Sequence, residues 1–548
     1  MRTDHKKIRR FLINALILTG TSLFCRTVGV SFNVYLSKKI GAGGIGLFEL
    51  IVSVYTLFVT FATSGIQYAS TRLISEALAK DDKPLAGAVF RACVAFAAVL
   101  SALSSLVLFA FAPYLGTKVL CDIRTVKSLK LLALSLMPIA LSNVISGYFS
   151  AQRGVYKTAV SGILAQLIKL ISTFVLLSFF TKSGLENACV SLVLSTLISE
   201  AFSFLSALFF YIFDKNKPQK DGSENALGLF PQALSKLLKT AVPIALSSYA
   251  RTGLLSLEHV LIPRGLQKNG AGANAALAAY GTLHGMVFPV ILFPSSLLGA
   301  VSGLIIPELT EMSTVGKDKL VCKSVNFALN ITLVFSIGIA GGMSWLSDEL
   351  SAVLYDSADA GAYIKLLCAL IPVMYLDGIV DGALKGLGQQ LYSMRCNLLD
   401  SFLSVVLVYT LLPRFGIDGY LVSVFITETL NFVLSIMRLL KMSRVRPNLF
   451  FCIFLPTATA VVSVFVCDLV SSLMPKTPLV LSLVLHIILY IFVYLLLCKI
   501  SGIFASLDFE LFFPKLTSKT APKRKAPSFL CAKRTNAKCK AALPPPFE

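Results

Sequence analysis

Fourteen apolar runs, each long enough to cross a bilayer, lie between residues 11 and 499 and leave this chain few folds to choose from. They sit near 11–37, 46–75, 87–113, 128–150, 157–180, 186–213, 236–262, 276–306, 322–346, 362–388, 394–412, 417–440, 449–472 and 478–499. A spanning helix needs about 20 consecutive apolar residues, because lipid offers no partner to an exposed backbone N–H or C=O. Of the 548 residues 56% are hydrophobic and 14% charged, with a mean hydropathy of +0.78. Soluble domains carry about 25% charged residues, so this composition cannot cover a water-facing surface. The expected fold class is an all-α integral membrane protein with 14 transmembrane helices.

An even number of spans puts both termini on one side, and loop charge says which. Counting from the leader, 32 Lys and Arg lie in the loops on the terminal side and 11 in the loops opposite. Positive charge is retained inside, so both termini are expected in the cytoplasm. The net charge of +22 is then orientation charge, and no nucleic-acid partner is expected. The opening "MRTDHKKIRRFLINALILTG" is basic and then apolar like a signal peptide, but no small-x-small site ends the run, and it reads as a retained first span. The tail, 501–548, is rich in Lys and Pro. It is expected to be disordered and to meet the anionic inner leaflet, at about 1 kcal/mol per basic residue near the surface. The 12 cysteines are scattered through apolar runs with no C-x-x-C, and there are four histidines. Cysteine as a small buried hydrophobe accounts for them, and no cofactor or structural metal is expected.

The stretch "KKIGAGGIGLFELI" (38–51) fits G-x-G-x-x-G at Gly41, Gly43 and Gly46. A dinucleotide loop needs a strand before it and a βαβ unit around it. Here spanning apolar runs flank it on both sides, so the glycines read as a turn between two helices. The stretch has a second copy. "KKIGAGG" (38–44) recurs as "QKNGAGA" (267–273), with Gly41 and Gly270 229 positions apart. "SLFCRTVG" (22–29) resembles "SSYARTGL" (247–254), with Arg26 and Arg251 225 apart. "LMPIALSNVISGY" (136–148) resembles the stretch after Leu370, with Pro138 and Pro372 234 apart. Three regions agree on a period near 230. The chain therefore reads as an N-lobe (1–213, six spans), a cytoplasmic linker (214–235), a C-lobe (236–440, six spans), two additional helices (441–500) and the basic tail. Such parallel repeats enclose a central cavity and work by alternating access.

Charges inside spans are costly and mark function by default, at about 2.5–3.5 kcal/mol each on insertion scales. Arg26 lies mid-span with Asn33 seven residues on, on the same helical face; Arg251 lies in the matching span with Glu258 seven on. The two arginines are expected to face each other across the cavity and receive an anion; the other reading pairs them with Glu258 or Asp377 to lock the bundle. Lys169 lies three residues after Gln166, deep in the fifth span. In the eleventh span Asn397 and Asp400 are three apart and offer oxygens to a coupling Na+, or else are satisfied by neighbouring helices. Asp377, Asp381 and Lys385 fall at i, i+4 and i+8, either as a self-neutralising stripe or as a cavity lining with a gating role. Glu200, Glu428 and His284 also lie in spans, with packing against polar neighbours as the expectation. No nucleophile–base set and no P-loop occurs, so neither an enzyme nor an ATP hydrolase is expected.

The order of these features resembles the multidrug/oligosaccharidyl-lipid/polysaccharide (MOP) exporter superfamily. "IGAGGIGLFELIVSVYTLFVTFATSGI" is similar to the first hairpin of its stage V sporulation protein B and polysaccharide-flippase branch. "GYFSAQRGVYKTAVSGILAQLIKL" (147–170) is similar to that branch's fourth-to-fifth span motif, through Gly147, Tyr148, Phe149, Gln166 and Lys169; Ala165 replaces an acidic residue usual there. The resemblance covers about residues 8–500. It implies a transporter that flips undecaprenyl-pyrophosphate-linked saccharides, lipid II among them, from inner to outer leaflet for envelope synthesis. It also implies pyrophosphate binding by cavity arginines, matched by Arg26 and Arg251, and energy from the membrane potential or a Na+ or H+ gradient. A monomer is expected. A cation-drug antiporter of the same fold is the alternative, favoured by Glu258, Asp377 and Asp381.

Overall fold

The computed structural model describes residues 2–80, 82–152, 154–180, 184–214, 229–447, 450–473, 475, 478–503 and 529–531. Most of the linker and tail falls outside these residues, and with it the expectation of a disordered tail. Phe529–Cys531 pairs antiparallel with Val445–Pro447, and everything else of regular structure among the described residues is helical.

By length and hydropathy ten described helices are able to cross a membrane, or eleven when Thr125–Ala133 and Leu136–Ala151, bent by 41°, count as one span. The sequence count of fourteen also divides Gly20–Ala79 and Gln390–Ser443, and adds Phe230–Lys268. That last helix is diluted by Ser247, Ser248, Arg251, Thr252 and Glu258. It starts at Phe230, six residues before the boundary read from the sequence. Pro231 stands in its first turn, where a missing N–H costs nothing, and Ala233 and Leu237 are buried.

The chain begins with α1 (Arg2–Thr63), broken at Gly41, followed by α2 (Ile66–Ala79) and α3 (Lys83–Tyr114). Then come α4 (Thr125–Ala133), α5 (Leu136–Ala151), α6 (Val155–Phe180) and α7 (Leu185–Ile212). The second half opens with α8 (Phe230–Lys268) and α9 (Ala273–Gly281). A π-helical turn (Thr282–Val287), α10 (Phe288–Leu292) and α11 (Ser295–Thr314) continue it. The remainder is α12 (Asp318–Trp345), α13 (Ser347–Tyr355), α14 (Ala358–Leu367), α15 (Ile371–Gly386), α16 (Gln390–Ser443), α17 (Leu455–Leu473) and α18 (Leu479–Ile500). First-half helices pack on one another, α2 and α3 on α5 and α6 on α7; in the second half α8 packs on α16, and α11 and α12 on α15. α1 joins the two sets, lying against α3, α6, α8, α9 and α11.

Helix breaks recur at the repeat offsets. Gly41 (φ 69°) and Gly270 (φ 104°) both take the left-handed conformation that other residues adopt at a cost. The break at Ser64–Gly65, before α2, matches Phe293–Pro294, before α11, since 293 − 64 = 229. The break before Leu136 matches the one before Leu370–Ile371, since 370 − 136 = 234, with Pro138 and Pro372 in the first turn of each new helix. The G-x-G-x-x-G stretch is therefore a helix turn, as its flanking apolar runs require. Its third glycine does something else. Gly46 packs against Gly281 so closely that a Cβ on Gly281 would stand 2.6 Å from the Gly46 nitrogen.

The last two helices dock on α12 through glycine. Gly338, Gly341 and Gly342 face the rings of Tyr490 and Tyr494. Tyr490 donates to the Gly338 carbonyl at 2.9 Å and Tyr494 to that of Val334 at 2.7 Å. Small residues let the aromatic ring reach the backbone, which is how helices associate where lipid supplies no hydrophobic drive.

Candidate functional site

A cavity of about 830 Å³ lies among α1, α5, α6, α7 and the broken helix that carries the π turn. Arg26, Asn33, Gln166 and Lys169 all line it, together with Glu49, Asn143, Glu200 and His284. Its size falls within the range that encloses a small ligand.

The broken helix explains two of these residues. Pro289 has no N–H to return to the carbonyl of Gly285, four residues back. Asn33 Nδ2 donates to that oxygen at 3.0 Å. Further along, Arg26 donates to the Leu292 carbonyl at 3.0 Å and Tyr375 to that of Ile291 at 2.5 Å. Asn33 thus repairs a helix break. Arg26 spends one of five N–H donors on the break. Among the described residues no carboxylate lies within 4.0 Å of its guanidinium, so the bundle-locking ion pair with Glu258 or Asp377 is not formed at Arg26.

Lys169 stands within electrostatic reach of Glu49 and Glu200, with its ammonium 5.7 Å from the Phe32 ring centre. It makes no direct ion pair with either acid. Substituting Lys169 by Met leaves two carboxylates around the cavity with no cation between them. The expected cost is about 1–3 kcal/mol, read as a lower melting temperature of purified protein. A second change, Glu49→Gln, is expected to restore most of it. If Lys169→Met melts like the wild type, the charge balance assigned here is wrong.

Arg251 is not in this cavity. It lines a separate pocket of about 260 Å³ with Asp381, Lys385, Ser393 and Asn397. The expectation of two arginines facing across one chamber is therefore corrected. The offsets carry the reason: Arg26 precedes its turn glycine by 15 residues and Arg251 by 19. Four residues are one helical turn, so Arg251 sits about 6 Å further from that turn than Arg26 does. Asp381 Oδ2 accepts from Lys385 at 2.9 Å and its other oxygen from Ser393, so the i, i+4 pair forms. Asn431 donates to Asp377 Oδ2 at 3.2 Å. The amide of Asn397 is committed to the Ser393 carbonyl at 3.0 Å. Of the pair expected to hold a coupling ion, only Asp400 keeps a buried oxygen without a partner, as do Asp377 and Asn431. Glu258 lies beside Ser404 and Asp400. Neither Glu258 nor Asp377 lines the large cavity or the smaller pocket. Among the described residues no three His, Cys, Asp or Glu side chains converge as a metal shell.

Sequence reasoning passed over Glu49 and Asn143. Glu49 carried the usual signal, a charge within an apolar run, but lay too near the glycine turn to be separated from it.

A family profile described as polysaccharide biosynthesis protein matches residues 11–313. Stage V sporulation protein B of Bacillus subtilis (strain 168) is 24% identical over 416 residues, covering 75% of this chain and 79% of that protein. Lipid II flippase MurJ of the same organism is 24% identical over 439 residues, with the same coverage. Among solved structures, lipid II flippase MurJ in an inward closed conformation superposes with a TM-score of 0.67 at 15% identity, covering 89% of this chain and 99% of that one. An inward-facing multidrug resistance MATE family transporter of the MOP superfamily gives 0.62 at 12% identity, covering 78% and 99%. Helix order, glycine turns and the structural likenesses converge on one membrane fold, and the chain belongs to the polysaccharide biosynthesis protein family.

Proposed function

We propose that this protein flips an undecaprenyl-pyrophosphate-linked saccharide, lipid II or a polysaccharide repeat unit, from the inner to the outer leaflet of a bacterial plasma membrane by alternating access. The observation that carries the reading is the guanidinium of Arg26, unpaired with any described carboxylate, at the wall of an 830 Å³ cavity. Arginine matches phosphate oxygens two at a time. The second cation, Lys169, faces two carboxylates, Glu49 and Glu200, and is free for an anion only when both are protonated. The names of the relatives support a lipid-linked substrate.

The arrangement proposed is fourteen spans in two six-helix lobes plus two, with both termini cytoplasmic and the protein a monomer. The paired glycine turns and paired helix breaks support the repeat; the excess of basic residues on one set of loops supports the orientation. The basic tail lies on anionic inner-leaflet lipid in this reading.

A cation-drug antiporter is the second reading, favoured by the acids Glu258, Asp377, Asp400 and Glu428, which interact with one another in the second half. Purified protein in liposomes, assayed side by side for transfer of labelled lipid II and efflux of a cationic dye, decides between them. Lipid transfer without dye efflux is the expected result. Dye efflux without lipid transfer would sink the flippase reading. Rescue of a strain depleted of its lipid II flippase is the cellular counterpart.

A further inference from the structure

Of the four histidines in the chain, two meet inside it. The rings of His259 and His284 lie edge to face, with centroids 4.7 Å apart and planes at 73°. They come from different helices, His259 from α8 and His284 from the π turn between α9 and α10. Each ring has a tyrosine on one nitrogen. Tyr280 Oη lies 3.0 Å from His259 Nδ1, and Tyr420 Oη lies 3.0 Å from His284 Nε2. Both tyrosines are buried, at 1% and 2% exposure.

Charged groups line the cavity beside His284 and stand near the two tyrosines. His284 lines the large cavity with Glu49, Lys169, Arg26 and Glu200. Glu258 precedes His259 in α8, and both Glu258 and Glu428 lie within electrostatic reach of Tyr420. Glu49 and Glu258 both reach Tyr280. The cluster therefore bridges the cavity and the acidic groups of the second half. Two details argue against simple packing. One nitrogen of each partly buried ring is held by a tyrosine hydroxyl, a pairing that a hydrocarbon ring filling the same space would not provide. And His284 stands in a π-helical turn, a local distortion that re-aims side chains and recurs at working sites.

We propose that His259 and His284 together bind a single proton, and that this proton is the coupling ion of the transport cycle. When one ring is protonated both of its nitrogens donate. A tyrosine hydroxyl accepts as readily as it donates, so its O–H rotates and no existing contact breaks. A second proton is disfavoured, because two imidazolium rings with centroids 4.7 Å apart repel one another. The proton reaches His284 from the cavity and adds positive charge beside Glu49. Because the rings sit on separate helices, the charge acts between segments that alternating access must move. Only the coupling role rests on the transporter reading; the proton site stands on its own geometry.

Full-length protein labelled with 15N-histidine and held in lipid nanodiscs gives four imidazole signals, assigned with H259Q and H284Q. Between about pH 4 and 8 the wild-type pair is expected to gain one proton in all. Either single variant gains one, and H259Q/H284Q none. Two protons in the wild-type pair, or none, overturns the site. In liposomes, an imposed pH gradient is expected to change the wild-type rate of labelled lipid II transfer by about fivefold or more, and to leave H259Q/H284Q unaffected. A wild-type rate indifferent to the gradient overturns the coupling role. Absence of any lipid II transfer by the wild type instead counts against the flippase reading, and the proton count still decides the site.

Discussion

Replacing Arg26 by alanine is expected to lower the initial rate of labelled lipid II transfer by about ten- to a hundredfold, as one charge-assisted contact worth about 1.5–3 kcal/mol is lost. The guanidinium donates once to the Leu292 carbonyl and keeps its other donors for the cavity. The fold should survive, because a carbonyl at a helix break beside a cavity takes a water in place of the arginine. Arg26→Lys keeps the charge and loses the planar fork, so it should fall between the two. The effect of Arg251→Ala is expected to be smaller. That side chain lines a different pocket, next to the Asp381–Lys385 pair. Undiminished transfer by Arg26→Ala would remove the proposed site. A larger loss from Arg251→Ala than from Arg26→Ala would put the substrate in the wrong pocket.

The three glycines of the G-x-G-x-x-G stretch should respond to alanine in three different ways. Gly46→Ala is expected to prevent assembly or to cost several kcal/mol, since its Cβ would overlap the Leu277 carbonyl oxygen and backbone cannot move aside cheaply. Gly281→Ala, across the same contact, should do the same. Gly41→Ala meets no atom within 4 Å but must hold φ near 69°, a strain of about 1–2 kcal/mol. Gly43→Ala has ordinary backbone and a nearest neighbour at 3.9 Å, and should be close to neutral. Folded yield and melting temperature of the four variants check the order. Loss of folding in Gly43→Ala, or none in Gly46→Ala, would show that the motif works by something other than helix approach.

These two predictions mark where sequence reading stops. That Gly41 turns the chain was legible, because it falls between two spanning runs and has a partner at Gly270. That Gly46 touches Gly281 was not, since nothing in the 234 residues between them states which helix lies opposite. Asn33 was legible as a polar residue on the arginine's face. Its service to the carbonyl that Pro289 leaves open was hidden, because donor and acceptor are 252 residues apart.

The sequence by itself determined that this chain consists of apolar helices long enough to cross a membrane, that short stretches recur at a spacing near 230, and that Arg26, Gln166 and Lys169 are polar groups set within apolar runs. Each of these follows from local rules: apolar length, helical spacing, and the cost of charge in hydrocarbon. Only the tertiary structure decided which of those groups share a cavity. It set Arg251 apart from Arg26, placed Glu49 and Glu200 around Lys169, and brought His259 against His284. Side chains meet across helices by shifts of a single turn, and no one-dimensional pattern records them.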